Sequence, residues 1–385
     1  MRVLFTSTPG RGHLGPLVPV AVALRDAGHE VSWATAPSGC STVAALGFKV
    51  DPAGLDVPDR RAALVDRLPQ IMALPPRERR GHLFAGFFVQ AAGPAMLDDL
   101  RPLVDAVQPD MVVHEAAELG IAPLASERSI PRVVVAFSGP PSRQARPTVS
   151  AALTAWWASL GLEVPPHGGL AGDRYLHPFP ERLGAEPPWA FERLRPHSSA
   201  ADAPAEPPGW LGALGADRPA VYVTFGTEPT AADAPWGSLV EALGDRDIDA
   251  LLTTGAHGDL GALGPLPANV RVERFVPQAL VLERVAAVVS HAGAGTMLGA
   301  AGAGVPQLVL PIFADQWDNA DAIVSAGAAI LCEEGERSAD GLGTALDRLL
   351  ADGAARVAAG AIADELRTMP TAVDHVLGLE ALAQG

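Results

Sequence analysis

Residues 290–319 read SHAGAGTMLGAAGAGVPQLVLPIFADQWDN, and this stretch carries the strongest pattern in the chain. A short apolar run ends at Ser290, a glycine-rich turn follows, and residues 295–302 have the composition of a helix. A Gly-Val-Pro turn at 304–306 then leads into a second apolar run at 307–311. Strand, helix and strand in this order predict a parallel βαβ unit.

The polar residues of this stretch follow the two predicted strands, which is where parallel sheets bind their ligands. A histidine and the free N–H groups at a helix start favour an anion such as a diphosphate. The acid and amide after the second strand supply acceptors and donors that suit sugar hydroxyls. The residues concerned are His291, Gly293, Gly295, Thr296, Asp315 and Gln316.

The same alternation of strands and helices extends to both halves of the chain. In the first half we predict strands at 2–6, 30–34, 111–113 and 132–136. The pattern restarts after residue 209, with strands predicted at 220–224, 250–254, 270–275 and 286–290, and a helical C-terminus from 339 to about 383. The segments 55–92 and 139–190 are less regular.

Between the two halves, the stretch 196–209 is rich in Pro, Ala and Ser and has no apolar periodicity, which is typical of a linker. We therefore predict an α/β protein with two Rossmann-like domains that face each other across a cleft. The domains are 1–197 and 210–385, joined by a linker at 198–209, and the last helix is free to pack back on the first domain.

Composition excludes several classes of function. The chain has 28 Lys and Arg against 44 Asp and Glu, a formal net charge of −16, so nucleic-acid binding is not expected. It lacks a run of about 18 apolar residues, so membrane insertion is not expected either. The two cysteines, Cys40 and Cys332, exclude a disulfide scaffold and a cysteine zinc cluster, and they indicate the reducing cytoplasm.

An ordered set of motifs in the second half gives the clearest indication of function. The set is Phe275-Val276-Pro277-Gln278, then His291 with its glycines, then Gly304-Val305-Pro306, then Asp315-Gln316 and Asn319. It resembles the nucleotide-sugar signature of family 1 glycosyltransferases with the GT-B fold, most closely those of actinomycetes that decorate antibiotics and other natural products. The resemblance covers nearly the whole chain.

The resemblance implies a role for each residue that matches the signature. Phe275 stands where the family usually has a base-stacking tryptophan, and Val276 would offer its backbone to the base edge. The strand and turn at 221–228 resemble the family's segment near the α-phosphate. The implied donor-binding residues are Gly226, Thr227, Phe275, Val276, Gln278, His291, Gly293, Gly295, Thr296, Asp315 and Gln316.

One departure from the signature bears on the nucleotide. Plant-type members carry a glutamate eight residues after the signature histidine, and it binds ribose hydroxyls; here that position is Gly299. A donor built on deoxyribose lacks the 2′-hydroxyl and loses nothing at such a site. We therefore expect a dTDP-linked deoxysugar as the donor, with UDP as the alternative.

The first half contains its own motif, Gly10-Arg11-Gly12-His13, directly after the first predicted strand. An imidazole there suits a base that faces the cleft, and His13 resembles the family's catalytic base. A carboxylate should orient it. Glu115, which follows the strand at 111–113, is the first candidate, and Glu118 is the alternative.

Aromatic residues in the irregular segments predict either a hydrophobic acceptor pocket or ordinary core packing, and the sequence leaves both open. The pocket candidates are Phe84, Phe87, Phe88, Phe137, Trp156 and Trp157.

Together these features predict an inverting, metal-independent glycosyltransferase of the hexosyltransferase type. It would need no cofactor, and its partners would be an NDP-sugar and a small hydrophobic aglycone; a homodimer is left open. Two alternatives remain: an NDP-sugar epimerase or cell-wall glycosyltransferase of the same fold, and a catalytically silent partner protein.

Overall fold

The computed structural model describes residues 1–196, 207–226, 234–255 and 263–385, and these fall into two compact units. Within these ranges the first unit holds 1–179, 186–196 and 369–385, and the second holds 180–185 and 207–368. Most of the predicted linker lies outside the described residues. Residues 180–185 thus belong to a different unit from the chain on either side of them, and residues 369–385 return to the first unit.

The sheet of the first unit has seven parallel strands in the order β3-β2-β1-β4-β5-β6-β7. The order reverses at β1, whose neighbours are β2 and β4, so chain leaving β1 and β4 emerges side by side. The strands are β1 (Arg2–Ser7), β2 (Glu30–Thr35), β3 (Lys49–Pro52), β4 (Met111–Glu115), β5 (Arg132–Val135), β6 (Arg174–His177) and β7 (Glu192–Arg193).

Helices cover both faces of this sheet. They are α1 (Arg11–Leu14), α2 (Val18–Asp26), α3 (Pro37–Ala45), α4 (Val57–Ala62), α5 (Leu68–Met72), α6 (Pro76–Phe84), a π-helical turn at Ala85–Ala92, α7 (Gly93–Val107), α8 (Ile121–Arg128) and α9 (Arg146–Ser159). The segment 55–92, which has no clear pattern in the sequence, is therefore helical. No 3.6-residue period shows there because α4 and α5 have six and five residues, and the π-helical turn changes the spacing after α6.

The second unit repeats this plan with six parallel strands in the order β10-β9-β8-β11-β12-β13. The strands are β8 (Ala220–Thr224), β9 (Asp249–Thr253), β10 (Val270–Glu273), β11 (Ala287–Ser290), β12 (Gln307–Val309) and β13 (Ala329–Leu331). The helices are α10 (Trp236–Gly244), α11 (Gln278–Leu282), α12 (Ala294–Gly302), α13 (Gln316–Ser325), α14 (Ala339–Ala351) and α15 (Gly353–Thr368).

The strands are buried on both faces, which explains their continuous apolar runs. In β1, Phe5 packs into one core cluster with Val113, while the adjacent Leu4 packs into another with Val112 on the opposite face. The predicted α/β class, with two parallel-sheet units and a helical C-terminus, is confirmed. In the part of the chain that the structure describes, no helix has both the length and the apolar character to span a bilayer.

The final helix, α16 (Ala372–Gln384), belongs to the first unit although it ends the chain. Val376 and Leu379 are buried in the same cluster as Leu24 and Trp33. His375 Nε2 lies 3.0 Å from the carbonyl oxygen of Arg193. The helix therefore closes one face of a sheet that begins at residue 2.

We predict that L379A destabilises the first unit by about 2–5 kcal/mol, because it leaves a cavity in this cluster. L377A is the matched control, since Leu377 lies on the same helix and is 79% exposed, while Leu379 is fully buried. Chemical denaturation measures both changes. Equal effects of the two substitutions would show that α16 does not pack as described.

Candidate functional site

The turn after β1 brings a histidine to the end of the first sheet. Gly10 has φ +113°, a conformation that favours glycine, and the short helix α1 starts directly after it. His13 lies on α1 with its side chain about one-fifth exposed, and its Nδ1 lies 3.2 Å from Oε1 of Glu115. Glu115 is the last residue of β4, the neighbour of β1 in the sheet.

The Glu115 carboxylate is held from several sides. Its Oε1 accepts hydrogen bonds from the backbone N–H and the hydroxyl of Thr8, at 3.2 and 2.8 Å, and Oε2 accepts from the N–H of Ala117 at 2.5 Å. Burial acts to raise the pKa of Glu115, but the charge and hydrogen bond of His13, with those from Ala117 and Thr8, lower it below its usual range. Glu115 is therefore ionised at neutral pH, and its carboxylate lies beside Nδ1 of the His13 ring.

Glu118 was the alternative partner for His13, and the structure places it elsewhere. One of its oxygens accepts from the N–H groups of Gly120 and Ile121, at 2.6 and 3.2 Å. The other oxygen is hydrogen-bonded to the hydroxyl of Thr6. Of the two carboxyl groups, it is Glu115 that contacts the imidazole.

Phenylalanine rings surround His13. The ring centroids of Phe137 and Phe88 lie 4.5 and 5.7 Å from that of His13, and the Phe84 ring is tilted against Phe88 with 5.2 Å between the centroids. Phe87 lies in the same π-helical turn as Phe88 and is half-buried. These four predicted acceptor-pocket residues thus include two that contact the candidate base.

The other two predicted acceptor-pocket residues, Trp156 and Trp157, are buried in the core of the first unit instead. They lie on α9 in an apolar core cluster, 8% and 1% exposed, and the indole N–H of Trp157 donates to the carbonyl oxygen of Gly168 at 3.1 Å. Their surfaces are already used in packing against the first unit's own residues. For these two residues the core interpretation is the one that fits.

In the second unit a histidine again stands at the reversal of strand order. His291 follows β11, which pairs with β8, and Gly226 follows β8. A Cβ on Gly226 would lie 3.1 Å from the His291 ring, and a Cβ on Gly293 would overlap it. Both glycines are needed to let the imidazole lie where it does.

Burial lowers the pKa of His291 to about 4, although the charge of Asp315 and a hydrogen bond with the backbone of Thr224 act to raise it. At neutral pH the ring is therefore an uncharged imidazole, which offers one N–H donor. The helix α12 starts three residues later at Ala294, with Gly293 as its N-cap, and its first turn includes Gly295 and Thr296.

Polar side chains tie the next turn to this one. Asn319 Nδ2 donates to the carbonyl oxygen of Ala292 and to Oδ2 of Asp315, each at 3.0 Å. Gln316 Oε1 accepts from the N–H groups of Ile312 and Phe313, each at 2.8 Å, which leaves its amide N–H groups for other partners. Asn319 therefore fixes Asp315 relative to the turn that carries His291.

Two alanines in these turns were missed by sequence reasoning. Ala292 and Ala314 have φ of +61° and +53°, in the left-handed region that non-glycine residues rarely adopt. Each lies directly beside a predicted site residue. Alanine carries no sequence signal for this conformation, so only the structure could reveal it.

The segment 275–278 lies at the end of β10. Phe275 is 52% exposed and Val276 is buried. The Nε2 of Gln278 donates to the carbonyl oxygen of Thr296 at 3.3 Å, and a Cβ on Gly299 would lie 3.1 Å from that same nitrogen. Thr227 falls outside the described residues. Within the described ranges, no cluster of three or more His, Cys, Asp or Glu residues is arranged to hold a metal ion.

Comparison with known proteins gives consistent similarities over the whole chain. The family described as "Erythromycin biosynthesis protein CIII-like, C-terminal domain" matches residues 238–382. The L-demethylnoviosyl transferase of Streptomyces niveus is 34% identical over 99% of this chain and 98% of its own length. The elloramycin glycosyltransferase of Streptomyces olivaceus is 33% identical over 97% of this chain and 95% of its own.

A solved structure is also similar to this chain over its whole length. The crystal structure of the glycosyltransferase VinC in complex with dTDP has a TM-score of 0.79 at 28% identity, and all of both chains are covered.

We predict that G293A releases His291 from its buried position, because the added methyl group takes the space of the ring. The pKa of His291 should then rise from about 4 towards its ordinary 6.5, as followed by NMR titration of the imidazole. G237A is the control, since a Cβ there meets no atom within 4 Å. A His291 that still titrates near 4 in G293A would contradict this packing.

Proposed function

The chain belongs to the actinomycete antibiotic glycosyltransferases with the GT-B fold, and on this premise we propose that it moves a deoxysugar from dTDP to a hydrophobic natural-product aglycone. The observation that carries the proposal is the pair of His13 and Glu115. An ionised, buried carboxylate 3.2 Å from an imidazole, beside phenylalanine rings, suits deprotonation of an acceptor hydroxyl.

The reaction we propose is a single displacement that inverts the anomeric carbon. Nε2 of His13 removes the proton of the acceptor hydroxyl, while the ionised Glu115 stabilises the imidazolium that forms. The acceptor oxygen bonds to the anomeric carbon as the bond from that carbon to the diphosphate oxygen breaks. The leaving diphosphate takes hydrogen bonds from His291 and from the N–H groups at the start of α12.

These donors lead us to propose that no metal and no cofactor take part. A neutral imidazole and helix N–H groups stabilise a diphosphate without reorganising, which is the role a divalent cation plays in other enzymes of this chemistry. Asp315 and Gln316 would hold the sugar hydroxyls. The two unpaired cysteines support a cytoplasmic site of action.

The nucleotide we propose is dTDP. The neighbour VinC was crystallised with dTDP, and the present chain has glycine at 299 with the Gln278 amide against it. That arrangement leaves no carboxylate for a ribose 2′-hydroxyl at this position. A deoxyribose needs none.

Calorimetric titration with dTDP and with UDP, each in Mg²⁺ and in EDTA, tests the donor half of the proposal. We expect metal-independent binding that prefers dTDP. Equal affinity for UDP would remove the deoxyribose argument and keep the glycosyltransferase. Failure to bind either nucleotide would favour the silent-partner alternative.

For the acceptor half, we predict that H13A and E115Q lower kcat, by roughly 10²–10⁴-fold for the loss of the base itself. Release of dTDP in the presence of an accepted aglycone measures the rate. The affinity for dTDP serves as the internal control and should be unchanged in both variants. Full activity of H13A would rule out His13 as the base.

A further inference from the structure

Two buried carboxyl groups lie three residues apart after β4. Glu115 and Glu118 are 0% and 1% exposed, but their surroundings differ. Glu115 contacts His13, whereas Glu118 contacts a threonine hydroxyl and two backbone N–H groups. The catalytic proposal uses only the first, so the second needs its own explanation.

The contacts of Glu118 close the turn that carries Glu115. The backbone N–H of Glu118 donates to the carbonyl oxygen of Glu115 at 3.1 Å. Its side chain joins the start of α8, at Gly120 and Ile121, to Thr6 in β1. Glu118 thus fastens the far end of the turn to the same strand whose continuation, at Thr8, holds the Glu115 carboxylate.

The charges around this turn indicate which carboxyl group carries a proton. Two carboxylates buried this close together repel each other, and it is Glu115 that the His13 imidazole contacts. The charge of Arg132 acts on Glu118, but Nη1 of Arg132 donates to the carbonyl oxygen of Gly169 at 2.6 Å and lies 3.1 Å from His114 Nε2. Burial, with the charge of Arg132, lowers the pKa of His114 to about 3, so His114 adds no charge.

We propose that Glu118 is a positioning residue that works as the neutral carboxylic acid, closing the turn that sets Glu115 against His13. The Thr6 hydroxyl donates to Oε2 of the ionised carboxylate; in the neutral acid the direction reverses, and Oε2–H donates to the Thr6 oxygen. In both states Oε1 accepts from the two backbone N–H groups. Ionisation of Glu118 places a second negative charge beside Glu115 and loosens the turn. The rate effect rests on the proposed function; the protonation state does not.

The direction of the pKa shift agrees with this geometry. Burial raises the pKa of Glu118 to about 7; the hydrogen bond from Thr6 opposes the rise, and the charge of Glu115 adds to it. Because the folded pKa lies above the usual 4.5, the stability that neutral Glu118 contributes is complete below about pH 4.5. It is lost as the pH rises to about 7.

Two variants separate this role from its alternatives. E118Q keeps the shape and the hydrogen bonds of the neutral acid at every pH, with its amide donating to Thr6. E118L keeps the bulk and loses every polar contact. E115Q is the matched control, because it neutralises the carboxylate that must stay ionised.

We expect E118L to lower kcat on the order of 10²-fold through the displaced turn, and E118Q to restore most of that loss. The wild-type kcat should decline above about pH 7, where Glu118 ionises, and E118Q should lack this alkaline decline. The kcat of E115Q should stay low at every pH. A loss in E118Q as large as in E115Q would overturn the proposal, and so would an unchanged rate in E118L.

A second set of measurements needs no acceptor. Carboxyl ¹³C NMR should show Glu118 titrating near 7, and the melting temperature of E118Q relative to wild type should be more favourable at pH 8.5 than at pH 5. Imidazole ¹⁵N NMR should show a perturbed His13 in E118L and a native one in E118Q. If neither the wild type nor any variant transfers sugar, that result contradicts the proposed function and leaves the inference about Glu118 standing. A Glu118 that titrates near its usual 4.5 overturns the inference itself.

Discussion

The reversal of strand order at the first strand of each sheet is the constraint on which both sites depend. β1 lies between β2 and β4, and β8 lies between β9 and β11. Because all strands are parallel, β1 and β4 end at the same edge of the sheet, the one formed by the carboxyl ends of the strands. No helix separates the two chain segments that leave these strands. His13 and Glu115 occupy that edge in the first unit, and Gly226 and His291 occupy the corresponding edge in the second.

Burial at these edges has opposite effects on different groups, and the partner of each group decides the outcome. His291 loses its charge because Asp315 and the Thr224 backbone offset only part of the cost of its desolvation. Glu115 keeps its charge because an imidazole and three hydrogen-bond donors stabilise the anion. Glu118 has hydrogen bonds of similar number but contacts no cation among the described residues, and its pKa rises instead. Burial therefore leaves His291 neutral and Glu115 ionised, and it raises the pKa of Glu118.

Sequence reasoning located the parts of these sites that spacing encodes. Two patterns identify the strand ends that carry the sites: the strand and turn before His13, and the ordered motifs from Phe275 to Asn319. An apolar run followed directly by glycines is typical of a strand that ends in a tight turn. It did not predict β3, β6, β7 and β13; charged residues interrupt the first three, so that they form no apolar run, and β13 has only three residues. It also left Trp156 and Trp157 open between pocket and core, since an aromatic residue has the same composition signal in both places.

The sequence by itself determined the α/β class, the two sheet units and the histidines at their strand ends, because apolar runs and glycine turns are local features. Only the tertiary structure decided that Glu115 rather than Glu118 contacts His13, because that choice depends on where β4 ends beside β1. It alone placed α16 on the first unit and gave Ala292 and Ala314 their left-handed backbone. These outcomes depend on packing between residues that are distant in the chain, and local sequence patterns do not predict such packing.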